Sequence, residues 1–137
     1  MRKYIAFVML FVFLFLCVGC AADENGLEIS AKDVASVHVW LLGKSGDIPL
    51  DSAEMKTFIQ LYNQSQYMGE ANGNGGTPEW GVQVSFKNGE VLTINEFNGR
   101  EDFEVCWHTA VGEKAWCYIN NQKLLDYVTE IVSSFDG

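Results

Sequence analysis

An α+β fold is the expectation for this chain: a strand, a helix, four antiparallel strands and a second helix, with both helices packed on one face of a twisted antiparallel sheet. Three observations predict it. Two segments, one after Asp51 and one after Asn120-Asn121, repeat apolar residues at helical spacing. Between them, residues 82–118 alternate apolar and polar side chains, with turn-forming glycines at Gly89, Gly99 and Gly112. Each element is apolar on one side only, so helices and sheet must share a single core.

In chain order, Val37-His38-Val39-Trp40-Leu41 has the period of a strand with one buried face, and Gly43 to Asp47 ends it in a turn. Asp51-Ser52-Ala53-Glu54 has the spacing of a capping box, which starts a helix running to about Tyr62. Met55, Phe58, Ile59 and Tyr62 fall at i, i+3, i+4 and i+7, a stripe that reads as core. Asn63 to Gly81 holds Gly69, Gly73, Gly75, Gly76 and Pro78 among polar residues and is expected to be a long loop. A loop of that length is either simply flexible or a binding loop, with Tyr67, Met68 and Trp80 as its apolar contacts. Its glycines fit neither a P-loop nor a dinucleotide fingerprint.

Strands at 82–86 and 90–97 are joined by Lys87-Asn88-Gly89. A two-residue turn sets Val84 opposite Thr93, whereas a three-residue loop with Gly89 left-handed sets Val84 opposite Leu92 and Val82 opposite Ile94. The second register keeps the apolar side chains on one face and is the expected one. Asn98-Gly99 turns the chain again. With Val111-Gly112 at the centre of the last hairpin, Cys106 faces Cys117, Trp107 faces Trp116 and Val105 faces Tyr118. That register puts Phe103, Val105, Trp107, Trp116 and Tyr118 on the core side, with Glu104, His108 and both cysteines opposite. Asn120 or Asn121 then caps a helix whose Leu124, Leu125, Val128, Ile131, Val132 and Phe135 cover the sheet.

Before all of this stand Arg2 and Lys3, an apolar run from Ile5 to Val18, and Gly19 directly preceding Cys20. A basic start followed by about fifteen apolar residues is an export signal, short of the roughly 20 that span a bilayer. Leu16-Cys17-Val18-Gly19-Cys20 resembles the lipobox of bacterial lipoproteins, with Cys17 where leucine is usual. The resemblance covers the signal alone. It implies removal of residues 1–19, a diacylglycerol thioether on Cys20, and anchorage to the outer face of a bacterial membrane by that lipid. Cleavage near Ala21 or Ala22 and an uncleaved anchor are the other processings that these residues allow. Residues 20–33, polar and acidic, read as a flexible tether, and 34–137 as a single domain.

Two of the nine basic side chains, Arg2 and Lys3, belong to the signal. Seven then face eighteen acidic ones in the remaining 118 residues, a formal charge of −11. Nucleic acid is excluded as a partner, because phosphate binding needs Lys and Arg. Export and the matched register predict a Cys106–Cys117 disulfide. His38 and His108 lie on separate strands without the close pairing of a preorganised metal site, so no cofactor or metal is assigned. Glu101, Asp102 and Glu104 read as a solvated strand entry rather than paired catalytic carboxylates. There is no G-x-S-x-G elbow and no H-E-x-x-H. The expected working surface is therefore the sheet face opposite the helices, carrying His38, Trp40 and His108, together with Tyr67, Met68 and Trp80. Its expected role is non-enzymatic capture of a protein, peptide or envelope component. A small envelope enzyme or metal-binding protein using His38 or His108 is the alternative.

Overall fold

The structure, a computed structural model, describes residues 25–73, 76–97 and 100–135. The expected signal at 1–19, Cys20 and the turn expected at Asn98-Gly99 lie outside them. Among the described residues no helix is long and apolar enough to cross a membrane.

Asp51 starts helix α1 (Ser52–Asn63) through the capping box that its spacing predicts. Its Oδ1 accepts from the N–H groups of Ala53 and Glu54 at 2.8 and 2.9 Å, while Glu54 Oε2 accepts from the Asp51 N–H at 2.8 Å. Helix α2 (Gln122–Ser134) is capped by Asn121, whose Oδ1 accepts from the Leu124 N–H at 3.0 Å. The same amide donates from Nδ2 to the Leu61 carbonyl and to Ser65 Oγ, at 2.7 and 3.0 Å. One side chain thus begins α2 and fastens it to the end of α1.

Seven strands among the described residues form one antiparallel sheet. They are β1 (Val34–Leu41), β2 (Ile48–Pro49), β3 (Gln66–Glu70), β4 (Trp80–Phe86), β5 (Val91–Phe97), β6 (Arg100–Thr109) and β7 (Gly112–Asn120), in the order β2-β1-β4-β5-β6-β7-β3. The fold is α+β, with two strands more than the expected five. β2 is a two-residue return along β1, and β3 crosses the segment read as a loop to pair with β7. Periodicity could not reveal β3, because Gln66, Tyr67, Met68 and Glu70 are all exposed. Backbone pairing makes this strand, and Gly69, at φ +119°, absorbs the register shift within it.

β4 and β5 pair in the expected register, Val84 opposite Leu92 and Val82 opposite Ile94, with Gly89 at φ +89°. The last hairpin does not. Its turn is Ala110-Val111, with Thr109 opposite Gly112 and His108 opposite Glu113, and a bulge opposite the Trp107–His108 step leaves Lys114 unpaired. Beyond it Trp107 faces Ala115, Cys106 faces Trp116, Val105 faces Cys117 and Phe103 faces Ile119. The physical reason lies at the far end of β7. The expected register places Asn120 in the core opposite Phe103 and turns Ile119 out; the observed one buries Ile119 and lets Asn120 donate to Asp102 Oδ1 at 2.8 Å. Trp116 and Tyr118 consequently face outward, not into the core.

Phe58 of α1 and Leu124 and Val128 of α2 meet the alternate residues Val37, Val39, Val82, Val84, Leu92, Ile94, Phe103 and Val105 of the sheet, all 0–1% exposed. Burying each such side chain stabilises the fold by roughly 1.5–3 kcal/mol. Trp107 closes one end, its ring parallel to Phe86 at 5.0 Å, its Nε1 donating to Glu90 Oε2 at 2.8 Å, and Lys114 Nζ 3.7 Å from its ring centre. Order also begins earlier than expected. Leu27 and Ile29, inside the span read as a tether, are buried, and the Asn63 amide brackets Ile29 by accepting from its N–H (2.9 Å) and donating to its carbonyl (2.8 Å).

Candidate functional site

The sheet face away from α1 and α2 is built by strand period and register. Successive cross-strand neighbours form rows: His38, Gln83, Thr93, Cys106 and Trp116 in one; Trp40, Gly81, Asn95, Glu104 and Tyr118 in the next. Trp40 is half-buried because its ring lies over Gly81, where a Cβ would come within 2.6 Å of it. Under the same ring Asn95 Oδ1 is buried without a donor.

Toward β7 the face becomes aromatic and acidic. Trp116, 39% exposed, donates from Nε1 to Glu104 Oε1 at 2.8 Å. The segment after β3 folds over it: the Ala71 N–H donates to the Trp116 carbonyl, and the Tyr118 hydroxyl donates to Asn72 Oδ1 at 2.9 Å. Beside that clasp, Met68, Phe97, Tyr118 and Asp102 line a groove of about 280 Å³, with the Phe97 and Tyr118 rings 5.7 Å apart. Apolar walls beside a carboxylate suit an aliphatic stem carrying a cation.

A second constellation sits at the turn end. Cys106 and His108 project from β6 to the same side, and the bulge sets Glu113 directly opposite His108. The Cys106 sulfur, the His108 ring nitrogen and the Glu113 carboxylate lie within 4.8 Å of one another, with Sγ 3.8 Å from Glu113 Oε1. His108 and Glu113 are exposed and Cys106 is half-buried. Burial first, then the charges of Glu113 and Glu104, push the Cys106 thiol up from its ordinary range.

The structure rearranges the sequence-predicted set. Cys106 and Cys117 are both free thiols on opposite faces of the sheet, so the expected disulfide is not formed: the one-residue slip of β7 carries Cys117 into the core. There burial, with a smaller contribution from Cys106, raises the Cys117 thiol to about 11. Trp80 also leaves the binding set, since it belongs to β4 on the core side, tilted against Phe103 at 6.0 Å. Tyr67 and Met68 are exposed on the edge strand β3, but Tyr67 pairs with the core residue Ile119 and so turns to the helix side rather than the expected open face, while Met68 lines the groove. His38 and His108 do not meet. Three strand spacings separate His38 from the Cys106 position in its row, about 14 Å at the usual strand separation. Glu113 and Asp102 are the residues that sequence reasoning missed as participants. The bulge that aligns Glu113 leaves no pattern in residue types, whereas Asp102 stood in the acidic cluster but showed no groove beside it.

The fold and this face define an α+β domain whose two helices cover one side of a seven-stranded antiparallel sheet and leave the other side open. No family model, no curated protein and no solved structure matches the chain.

Proposed function

We propose that this chain is an exported, lipid-anchored binding module without enzymatic activity, and that its open sheet face captures a basic segment of a protein or peptide in the bacterial envelope. The observation that carries the reading is the groove between Met68, Phe97 and Tyr118 with Asp102 at its side. A lysine or arginine stem fills such walls while its charge meets the carboxylate. Glu104, two residues along β6 from Asp102, extends the acidic character on the same face, and the formal charge of −11 after the signal favours cationic partners at long range. A lipid on Cys20 supports this role by holding the domain at the membrane; acyl chains contribute about 0.8 kcal/mol per buried CH₂. The acidic domain is repelled by anionic headgroups, which leaves its face turned to partners. Trp40, over the donorless Asn95 Oδ1, offers a second anchor.

The test is fluorescence anisotropy with labelled octalysine, octaglutamate and a Gly-Ser octamer against the full chain in non-ionic detergent. Octalysine is expected to bind best. Asp102→Asn is expected to weaken it about fivefold, the upper range for a partly exposed ion pair. Glu130→Gln, an equal charge change on α2, is expected to change it less than about twofold. Equal losses in the two variants would show general electrostatic attraction and defeat the groove assignment. A Gly-Ser octamer that binds as well as octalysine would defeat the basic-partner reading.

A further inference from the structure

We propose that Cys106, His108 and Glu113 form a zinc site on the open sheet face, with three protein ligands and a fourth position open to solvent. The geometry follows from the hairpin. Residues two apart on a strand share a face, so Cys106 and His108 stand side by side on β6, and Glu113 is brought opposite His108 by the bulge at Lys114. Around a tetrahedral Zn²⁺, with bonds of about 2.3 Å to sulfur and 2.0 Å to oxygen, a sulfur and an oxygen ligand lie about 3.5 Å apart. Cys106 Sγ and Glu113 Oε1 are 3.8 Å apart, and all three ligand atoms fall within 4.8 Å. Small side-chain rotations at the two exposed residues complete the fit.

The donor set chooses the ion. One sulfur, one imidazole nitrogen and one carboxylate suit a borderline cation, whereas Ca²⁺ and Mg²⁺ take six or more oxygens. On binding, a bond forms between the metal and Cys106 Sγ, and the thiol proton that now points to Glu113 leaves to solvent. Thiolate and carboxylate then neutralise the two charges of zinc. Trp116 on β7 and Thr93 on β5 flank Cys106 in its row and wall the site on both sides. The open position can be filled by water or by a side chain of a bound partner. This site lies apart from the Asp102 groove and does not depend on what the groove captures.

The experiment titrates the full chain in detergent with Zn²⁺ by calorimetry and with Co²⁺ by absorption spectroscopy. One equivalent of Zn²⁺ is expected, and Co²⁺ is expected to give a thiolate-to-metal charge-transfer band. Cys106→Ser should abolish that band. His108→Gln and Glu113→Gln, both at exposed positions where packing is not at stake, should each weaken Zn²⁺ by about 100-fold or more, beyond the 10–100-fold that outer-shell partners are worth. Lys123→Gln on α2 should leave binding unchanged. Far-ultraviolet circular dichroism confirms that each variant is folded. The proposal is overturned if Zn²⁺ in stoichiometric amount is not retained. Undiminished binding in both Gln variants overturns it equally, as does a charge-transfer band that survives Cys106→Ser.

Discussion

Alkylation of Cys106 and Cys117 in the folded protein tests the register on which the open face depends. At pH 8 a thiol with the ordinary value of 9.0 is about one-tenth thiolate, whereas Cys117, raised to about 11, is about one-thousandth. Thiolate is the reactive form, so this alone slows Cys117 about 100-fold, and its 2% exposure slows it further. Cys106 is half-buried on the open face and, although its thiol is also raised, reacts ahead of Cys117. Iodoacetamide labelling read by peptide mass spectrometry is expected to modify Cys106 and spare Cys117 in native protein, and to modify both positions in denaturant without reductant. Comparable native rates at the two positions would refute the slipped register, and protection of both in denaturant would establish the bridge that the register forbids. The same shift sets an alkaline limit. The folded state keeps the Cys117 proton where the unfolded chain releases it, so this contribution to stability is full below pH 9 and is lost as pH rises toward 11. Urea midpoints at pH 8 and pH 10.5 measure that loss, which Cys117→Ala should reduce.

Asn121→Ala removes the α2 cap and the two donations to Leu61 and Ser65, and is expected to cost about 2–3 kcal/mol in urea unfolding. Asn121→Asp keeps the cap acceptor but loses both donations; a neutral result there would show that the link between the helices contributes nothing. Gly81→Ala places a methyl 2.6 Å from the Trp40 ring and 2.7 Å from Asn95 Oδ1, so about 1–3 kcal/mol should be lost, with a red shift of the Trp40 emission as its ring is lifted. An unchanged Tm and spectrum would mean that Trp40 does not lie on Gly81. Lys114→Ala should lower stability by about 0.5–1 kcal/mol through loss of the cation over Trp107, measured by thermal unfolding, with no loss expected if that contact is absent.

Where local chemistry dictates a feature, the chain displayed it plainly. The Asp51–Glu54 capping box, the Gly89 loop and the apolar stripe at Phe58, Ile59 and Tyr62 are short-range patterns, and all are present. The last hairpin failed because its pattern was read from the aromatic and cysteine pairs near the turn. Trp and Tyr are poor reporters of sidedness, since each carries a polar tip that can face solvent. Ile119 and Asn120 were the informative pair: only one of them tolerates burial opposite Phe103, and a half-turn of the strand follows from that choice. β3 was invisible for a different reason, because its stability comes from pairing with β7 and not from any buried side chain of its own. The candidate site inherited both failures. Cys106, His108, Trp40, Tyr67 and Met68 were recognised as residues of interest, but their companions Glu113, Asp102, Phe97 and Tyr118 are set by the bulge and the edge strand.

The groove and the proposed zinc site lie along one strand, and their separation decides whether they act on each other. Asp102 and Cys106 are four residues apart on β6, about 13 Å at the usual rise. Before metal the three ligands carry about one negative charge, that of Glu113; with zinc, thiolate and carboxylate the total is zero. Removing one charge 13 Å from a bound lysine changes its energy by about 0.3 kcal/mol in water, and the physiological Debye length of about 8 Å reduces that further. Electrostatics alone therefore allows less than about a twofold change in octalysine affinity on zinc loading. Linkage makes the effect equal in the other direction, so octalysine should shift zinc affinity by no more than the same factor. A tenfold change in either titration would require more than charge. The Cys106–Trp116 cross-strand pair, with Trp116 bonded to Glu104 and held under the segment that bears Asn72, is the contact through which a metal could reshape the groove. Trp116→Phe, which loses the bond to Glu104 but keeps an aromatic ring, should then bring the coupling back toward the electrostatic value.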